Sequence, residues 1–241
     1  MKAMKLMVLV TAVGLGVSAF AGNLILVGDS TLAPRKVESP NGSWGDSMTN
    51  SLSEGWTICN FAIGGKTVMT IQEGGRNPAW KRALEKMGKD DFVIVQFGIN
   101  DASKKKLVEI PQFKAEFAKF ADQIRAKGAI PVFCSPIQSG AYGRKTGLYQ
   151  GAATRVTYGT AIKEVAEEKK VDFVDMTAIT ARILGGLKQA EGEALFIGKT
   201  TRDGKPTFDT THPCKAGARL FGSAFVKEVK ARNLPIAKVF K

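Results

Sequence analysis

Beyond residue 22 the chain alternates short apolar runs rich in Val, Ile and Phe with longer stretches whose apolar side chains recur at helical spacing. The runs Asn23–Val27, Thr57–Ala62, Phe92–Phe97, Ile130–Ser135 and Asp172–Asp175 are predicted strands. Their almost unbroken hydrophobicity is that of strands covered on both faces. Helices are predicted over Trp80–Met87, Pro111–Lys127, Ala152–Lys170 and Ala216–Ala231. In the second of these, Phe113, Phe117, Phe120, Ala121 and Ile124 share one face and Gly128 stops the helix, so the aromatic stripe is core rather than a ligand box. Strand and helix alternate without a low-complexity linker or an internal repeat, which predicts one α/β domain built on a parallel sheet. Ligands of such sheets bind beyond the carboxyl ends of the strands, where strand order reverses.

The first 21 residues stand apart. Met1 to Lys5 carries two lysines, Leu6 to Ala19 is almost wholly apolar, and Ala19-Phe20-Ala21 is a small-x-small cleavage site. This is the pattern of a signal peptide, residues 1–21, followed by a domain over 22–241. The apolar stretch is shorter than the roughly 20 residues a bilayer span needs. No later segment is long and apolar enough to cross a membrane, so a soluble, secreted or periplasmic protein is expected.

Charge adds a partner class. The net charge of +13 falls by two once Lys2 and Lys5 leave with the leader, and a chain this basic attracts polyanions. No basic helix, zinc-finger spacing or aromatic RNA-binding signature points to nucleic acid. Cys59, Cys134 and Cys214 form an odd set without metal-ligand spacing. The first two fall in apolar runs and are expected to be buried thiols, while a disulfide through Cys214 stays open. No cluster of His, Cys or carboxylates is expected to hold a metal, and no cofactor is called for.

The first strand runs into Gly28-Asp29-Ser30-Thr31, which presents a serine at a strand end and, by expectation, at a helix start. Alone that serine reads more readily as a helix N-cap than as a nucleophile. The only histidine, His212, changes the balance. It follows Asp209 by three residues, in what reads as a loop before the last helix. The carboxylate can accept the imidazole Nδ1–H and leave Nε2 to take a serine proton. Two further strand ends, Asn60 to Thr67 with Gly64-Gly65, and Gly98-Ile99-Asn100-Asp101, offer a backbone N–H and a side-chain amide for a developing oxyanion. Taken separately, both are also ordinary turn sequences.

In this order, the Ser30, Gly65, Asn100 and Asp209/His212 blocks resemble the SGNH or GDSL hydrolase family. Ser43-Trp44-Gly45-Asp46, Ala62 to Thr67, Val95 to Gly98 and His212 to Ala218 are similar to its rhamnogalacturonan acetylesterase branch. The resemblance implies a three-layer α/β/α sandwich whose five-stranded parallel sheet has the order 2-1-3-4-5. It also implies roles. Ser30 would attack the acyl carbon, His212 would be base and then acid, Asp209 would orient His212, and the Ser30 and Gly65 N–H groups with the Asn100 amide would hold the oxyanion. Ile99 stands where the pectin-acting relatives carry a histidine, and Ser43 where they commonly carry a glycine.

The expected substrate is an acetylated, anionic plant polysaccharide such as rhamnogalacturonan or pectin, acted on by a monomer. Cations in the loops after the strands, Lys66, Arg76, Arg144 and Arg202, are candidates for binding it. Three other readings stay open or fall. An esterase, lipase or thioesterase acting on other acyl esters, acetylated xylan included, is the runner-up. A non-catalytic carbohydrate-binding module of the same fold is the second alternative. A nucleotide-binding loop at Gly64-Gly65-Lys66-Thr67 fails, because Asn60 stands where that motif needs its first glycine.

Overall fold

A computed structural model describes residues 22–73, 78–202 and 204–241, so the expected leader, residues 1–21, lies outside the described residues. Strands β1 (Gly22–Gly28), β2 (Trp56–Asn60), β3 (Phe92–Gln96), β4 (Ile130–Cys134) and β5 (Asp172–Val174) form one sheet. Its order is β2-β1-β3-β4-β5, and every neighbouring pair is parallel. This is the order that the family resemblance implied.

Because successive side chains of a strand face opposite ways, doubly buried strands build two separate cores. Leu24, Leu26, Phe92, Ile94 and Val132 pack on one side with Trp44 and with Met176, Phe221, Phe225 and Val229. Ile25, Val27, Val93, Val95 and Phe133 pack on the other with Trp80, Phe113, Phe117, Phe120, Ile162 and Val165. Helices α1 (Ala79–Lys86), α2 (Ile110–Ala126) and α3 (Ala153–Lys169) therefore cover the second face. Helices α4 (Met176–Gly185) and α6 (Lys215–Ala231) cover the first, and α5 (Gln189–Glu193) is a short turn between them. The result is the three-layer sandwich, with the Phe113 to Ile124 stripe inside it.

Four local expectations change. Asp175, read as a strand end, instead caps α4 by accepting the Ala178 N–H at 2.9 Å. An antiparallel ribbon of β6 (Phe196–Arg202) and β7 (Lys205–Pro213) occupies what reads as a loop. Its Thr- and Lys-rich strands lie largely outside the core and so lack an apolar alternation. No helix follows Ser30: residues 29–33 make one turn, with the Leu32 and Ala33 N–H groups on the Asp29 carbonyl at 3.2 and 3.0 Å, and Pro34 follows. Cys134 is buried as expected, whereas Cys59 on the edge strand β2 is only half-buried; all three cysteines are free thiols. Among the described residues no helix is long and apolar enough to cross a membrane.

Strand β1 lies at the switch point, with β2 on one side and β3 on the other. The approach there is close. A Cβ on Gly28 would meet the Gln96 carbonyl oxygen at 2.6 Å, so only glycine lets the chain leave β1 beside β3.

Candidate active site

Ser30 sits two residues past the end of β1 and is held from several directions. The preceding Asp29 is fully buried. Its carboxylate accepts the Thr31 N–H at 3.0 Å and the Gln96 amide N–H at 2.9 Å. Burial pushes this carboxyl above its usual value, and the Thr31 and Gln96 hydrogen bonds pull against that rise. Gln96 in turn accepts the Trp44 indole N–H at 3.3 Å. On the far side, the Arg35 guanidinium donates to the Ser30 carbonyl. Neither Gln96 nor Arg35 is signalled by the sequence, since a glutamine ending a strand and an arginine after a proline are common.

His212 and Asp209 project from β7 rather than from a loop. The extended backbone is bent locally by Asp209 itself, whose Oδ1 accepts the N–H groups of Thr211 and His212 at 2.8 and 2.9 Å. That leaves Oδ2 2.7 Å from His212 Nδ1, and His212 Nε2 lies 2.8 Å from Ser30 Oγ. Residues 182 apart in the chain thus meet within one hydrogen bond. Burial works to raise the Asp209 carboxyl, but its bonds to the His212 ring, to the two N–H groups and the imidazole charge outweigh it and bring it down to about 2. The ribbon is docked where it must be: the Gly140 N–H donates to the Thr210 carbonyl at 2.8 Å, and the Ser139 and Thr210 hydroxyls lie 3.1 Å apart.

The loops after β2 and β3 converge on the same point. Gly65 adopts φ +77°, a left-handed conformation that favours glycine. Lys106 fixes its peptide by donating to the Gly65 carbonyl at 2.6 Å. The Asn100 amide donates one N–H to the Lys66 carbonyl at 3.0 Å, which sets its plane and leaves its second N–H without a partner among the described residues. The backbone N–H groups of Ser30 and Gly65 are likewise unpartnered among the described residues. Asp101 ties the two loops together, accepting the Val68 N–H at 2.8 Å and the Gly98 N–H at 2.9 Å, and its burial lifts its carboxyl to about 6.

These groups open on a cavity of about 520 Å³ lined by Ser30, Gly65, Ile99, Asn100, Ser103, Arg155 and residues 207–212 of β7, with the half-exposed Phe208 ring forming an apolar wall. Of the expected cationic rim, the two described members, Lys66 and Arg144, do not line the cavity. Lys66 is half-buried, its ammonium bonded to the Thr70 carbonyl at 2.9 Å, and Arg144 is exposed outside the cavity lining. Arg76 and the Arg202 side chain lie outside the described residues. Among the described residues the cation that lines the cavity is Arg155, which no sequence pattern singles out because it falls within a helical stretch. Among the described residues no cluster of His, Cys, Asp and Glu could hold a metal ion.

A hydroxyl, imidazole and carboxylate in this relation, facing unpartnered N–H donors at the switch point of a 2-1-3-4-5 sheet, define a serine hydrolase site. The sequence profile of the GDSL-like Lipase/Acylhydrolase family matches residues 26–220, and the chain belongs to that family; it is a carboxylic ester hydrolase. The chain is 27% identical over 219 residues to the rhamnogalacturonan acetylesterase RhgT of Bacillus subtilis, covering 88% of this chain and 91% of that protein. Among solved structures, the YxiM protein of Bacillus subtilis superposes with a TM-score of 0.73 at 22% identity, over 89% of this chain and 58% of that longer one. An acetylxylan esterase from Geobacillus stearothermophilus superposes with a TM-score of 0.61 at 23% identity, over 86% and 94% of the two chains.

Proposed function

We propose that the protein is an exported carbohydrate acetylesterase that removes acetyl groups from an acidic plant polysaccharide such as rhamnogalacturonan. The Ser30–His212–Asp209 relay, with distances of 2.8 and 2.7 Å, is the observation that carries the chemistry. His212 Nε2 takes the Ser30 proton as Oγ attacks the acetyl carbon. Asp209 stays ionised, keeps the proton on Nδ1 and stabilises the imidazolium. The oxyanion is received by the N–H groups of Ser30 and Gly65 and the second N–H of Asn100. As the tetrahedral centre collapses, the bond to the sugar oxygen breaks and His212 gives its proton to that oxygen, which leaves as a hydroxyl; a water then hydrolyses the acetyl-Ser30 ester by the same steps in reverse.

What supports the substrate class is the activity named for a relative aligned over most of the chain, a cavity lined by Ser103, Arg155, Thr207, Thr210 and Thr211 as well as by Phe208, and the positive net charge. Acetate release from rhamnogalacturonan, acetylated xylan and a medium-chain ester, measured beside Ser30→Ala, tests it. Rhamnogalacturonan is expected to be the best substrate; equal or faster turnover of the medium-chain ester overturns the assignment.

A further inference from the structure

Arg155 stands on the third residue of α3, is 6% exposed, and lines the same cavity as Ser30 and His212. Among the described residues its guanidinium has no hydrogen-bond or ion-pair partner, and its Nε is wholly buried without one. The charge that acts on it is that of Asp29. Yet among the described residues no Arg155 N–H reaches hydrogen-bonding distance of Asp29, whose carboxylate is held by the Thr31 N–H and hydroxyl and by the Gln96 amide. A buried cation with its N–H groups unmet is unfavourable, and groups left so in a native cavity call for an explanation, of which a bound ligand is one. A guanidinium also keeps its charge when buried and presents a planar fork matched to a carboxylate.

We propose that Arg155 is the specificity residue that receives a carboxylate of the substrate, the uronate group of an acidic sugar unit, while the acetyl ester lies at Ser30. This rests on the carbohydrate-acetylesterase reading and adds to it where the negative charge is recognised: inside the cavity, by one preset guanidinium, rather than by a diffuse rim of lysines and arginines. Arg155 takes no part in bond making.

The test compares acetate release from an acetylated galacturonate-containing oligosaccharide with release from its carboxyl-reduced, uncharged counterpart. The ratio of the two kcat/KM values in the wild-type chain should fall roughly ten- to a hundredfold in Arg155→Met, through KM, as expected for losing a hydrogen-bonded charge pair. Arg155→Lys should retain part of the ratio. A ratio unchanged in Arg155→Met overturns the assignment while leaving the acetylesterase reading intact. Should the variants fail to fold, the wild-type chain still decides: galacturonate should compete with p-nitrophenyl acetate and galactose should not, and equal inhibition by both overturns it. Competition by galacturonate alone, with no acetate released from either oligosaccharide, supports the carboxylate site and instead defeats the substrate class.

Discussion

Asn100→Ala separates oxyanion stabilisation from folding, because the structure gives the Asn100 amide two distinct tasks. One N–H holds the Lys66 carbonyl at 3.0 Å and the other is free at the cavity. Losing the first bond, which is only part-buried, should cost about 1 kcal/mol of stability, or a Tm shift of about 2–4 °C for a domain of this size. Losing the second removes one of three donors to the transition state, worth about 3–4 kcal/mol, so kcat should fall about 10²- to 10³-fold with KM little changed. The N–H groups of Ser30 and Gly65 remain, so activity should persist well above the uncatalysed rate. Asn100→Asp keeps the shape but turns a donor into a negative acceptor, and should be at least as damaging. The assay is steady-state hydrolysis of p-nitrophenyl acetate beside a thermal melt. A kcat within about fivefold of wild type, in a variant whose melt confirms the folded state, would refute the role given to the amide.

Further outcomes follow from the same geometry. Asp209→Asn should lower kcat on the order of 10⁴-fold by disturbing the imidazole; a loss under tenfold would show that His212 is oriented by something else. The Asp209 carboxyl is held at about 2, below its ordinary 3.8, so its ionised form stabilises the fold. That contribution is complete above about pH 4 and is lost as pH falls toward 2, because the unfolded chain takes up the proton first. Denaturant titrations should therefore show the stability gap between wild type and Asp209→Asn narrowing below pH 4, and a constant gap would contradict it. Gly28→Ala would press a methyl to 2.6 Å from the Gln96 carbonyl and should destabilise by about 1–3 kcal/mol. Calorimetry checks this, and an unchanged Tm would mean that β1 and β3 separate without cost.

What the sequence disclosed follows from where its residues are buried. The sheet strands and four long helices were legible because each carries a continuous apolar run or a helical stripe into one of two cores. The β6–β7 ribbon is not, since a ribbon lying largely outside the core needs no apolar alternation, and the stretch around His212 therefore reads as a loop although its spacing from Asp209 is informative. Ser30, Gly65, Asn100, Asp209 and His212 could be singled out because their chemistry is local and ordered along the chain. Gln96, Lys106 and Arg155 act only through neighbours distant in sequence, and Arg35 through a backbone carbonyl, so no spacing betrays them. The half-buried Lys66 and the exposed Arg144 illustrate the converse: charge is visible in a sequence, but its direction is not.

Covalent labelling tests whether Ser30 is the nucleophile. A fluorophosphonate should react once per chain, Ser30 Oγ displacing fluoride, and mass mapping should place the adduct on the peptide that contains Ser30. Ser30→Ala should take up no label and release no acetate, and His212→Ala should label far more slowly than wild type. An adduct on another residue, or acetate release that persists in Ser30→Ala, would contradict it.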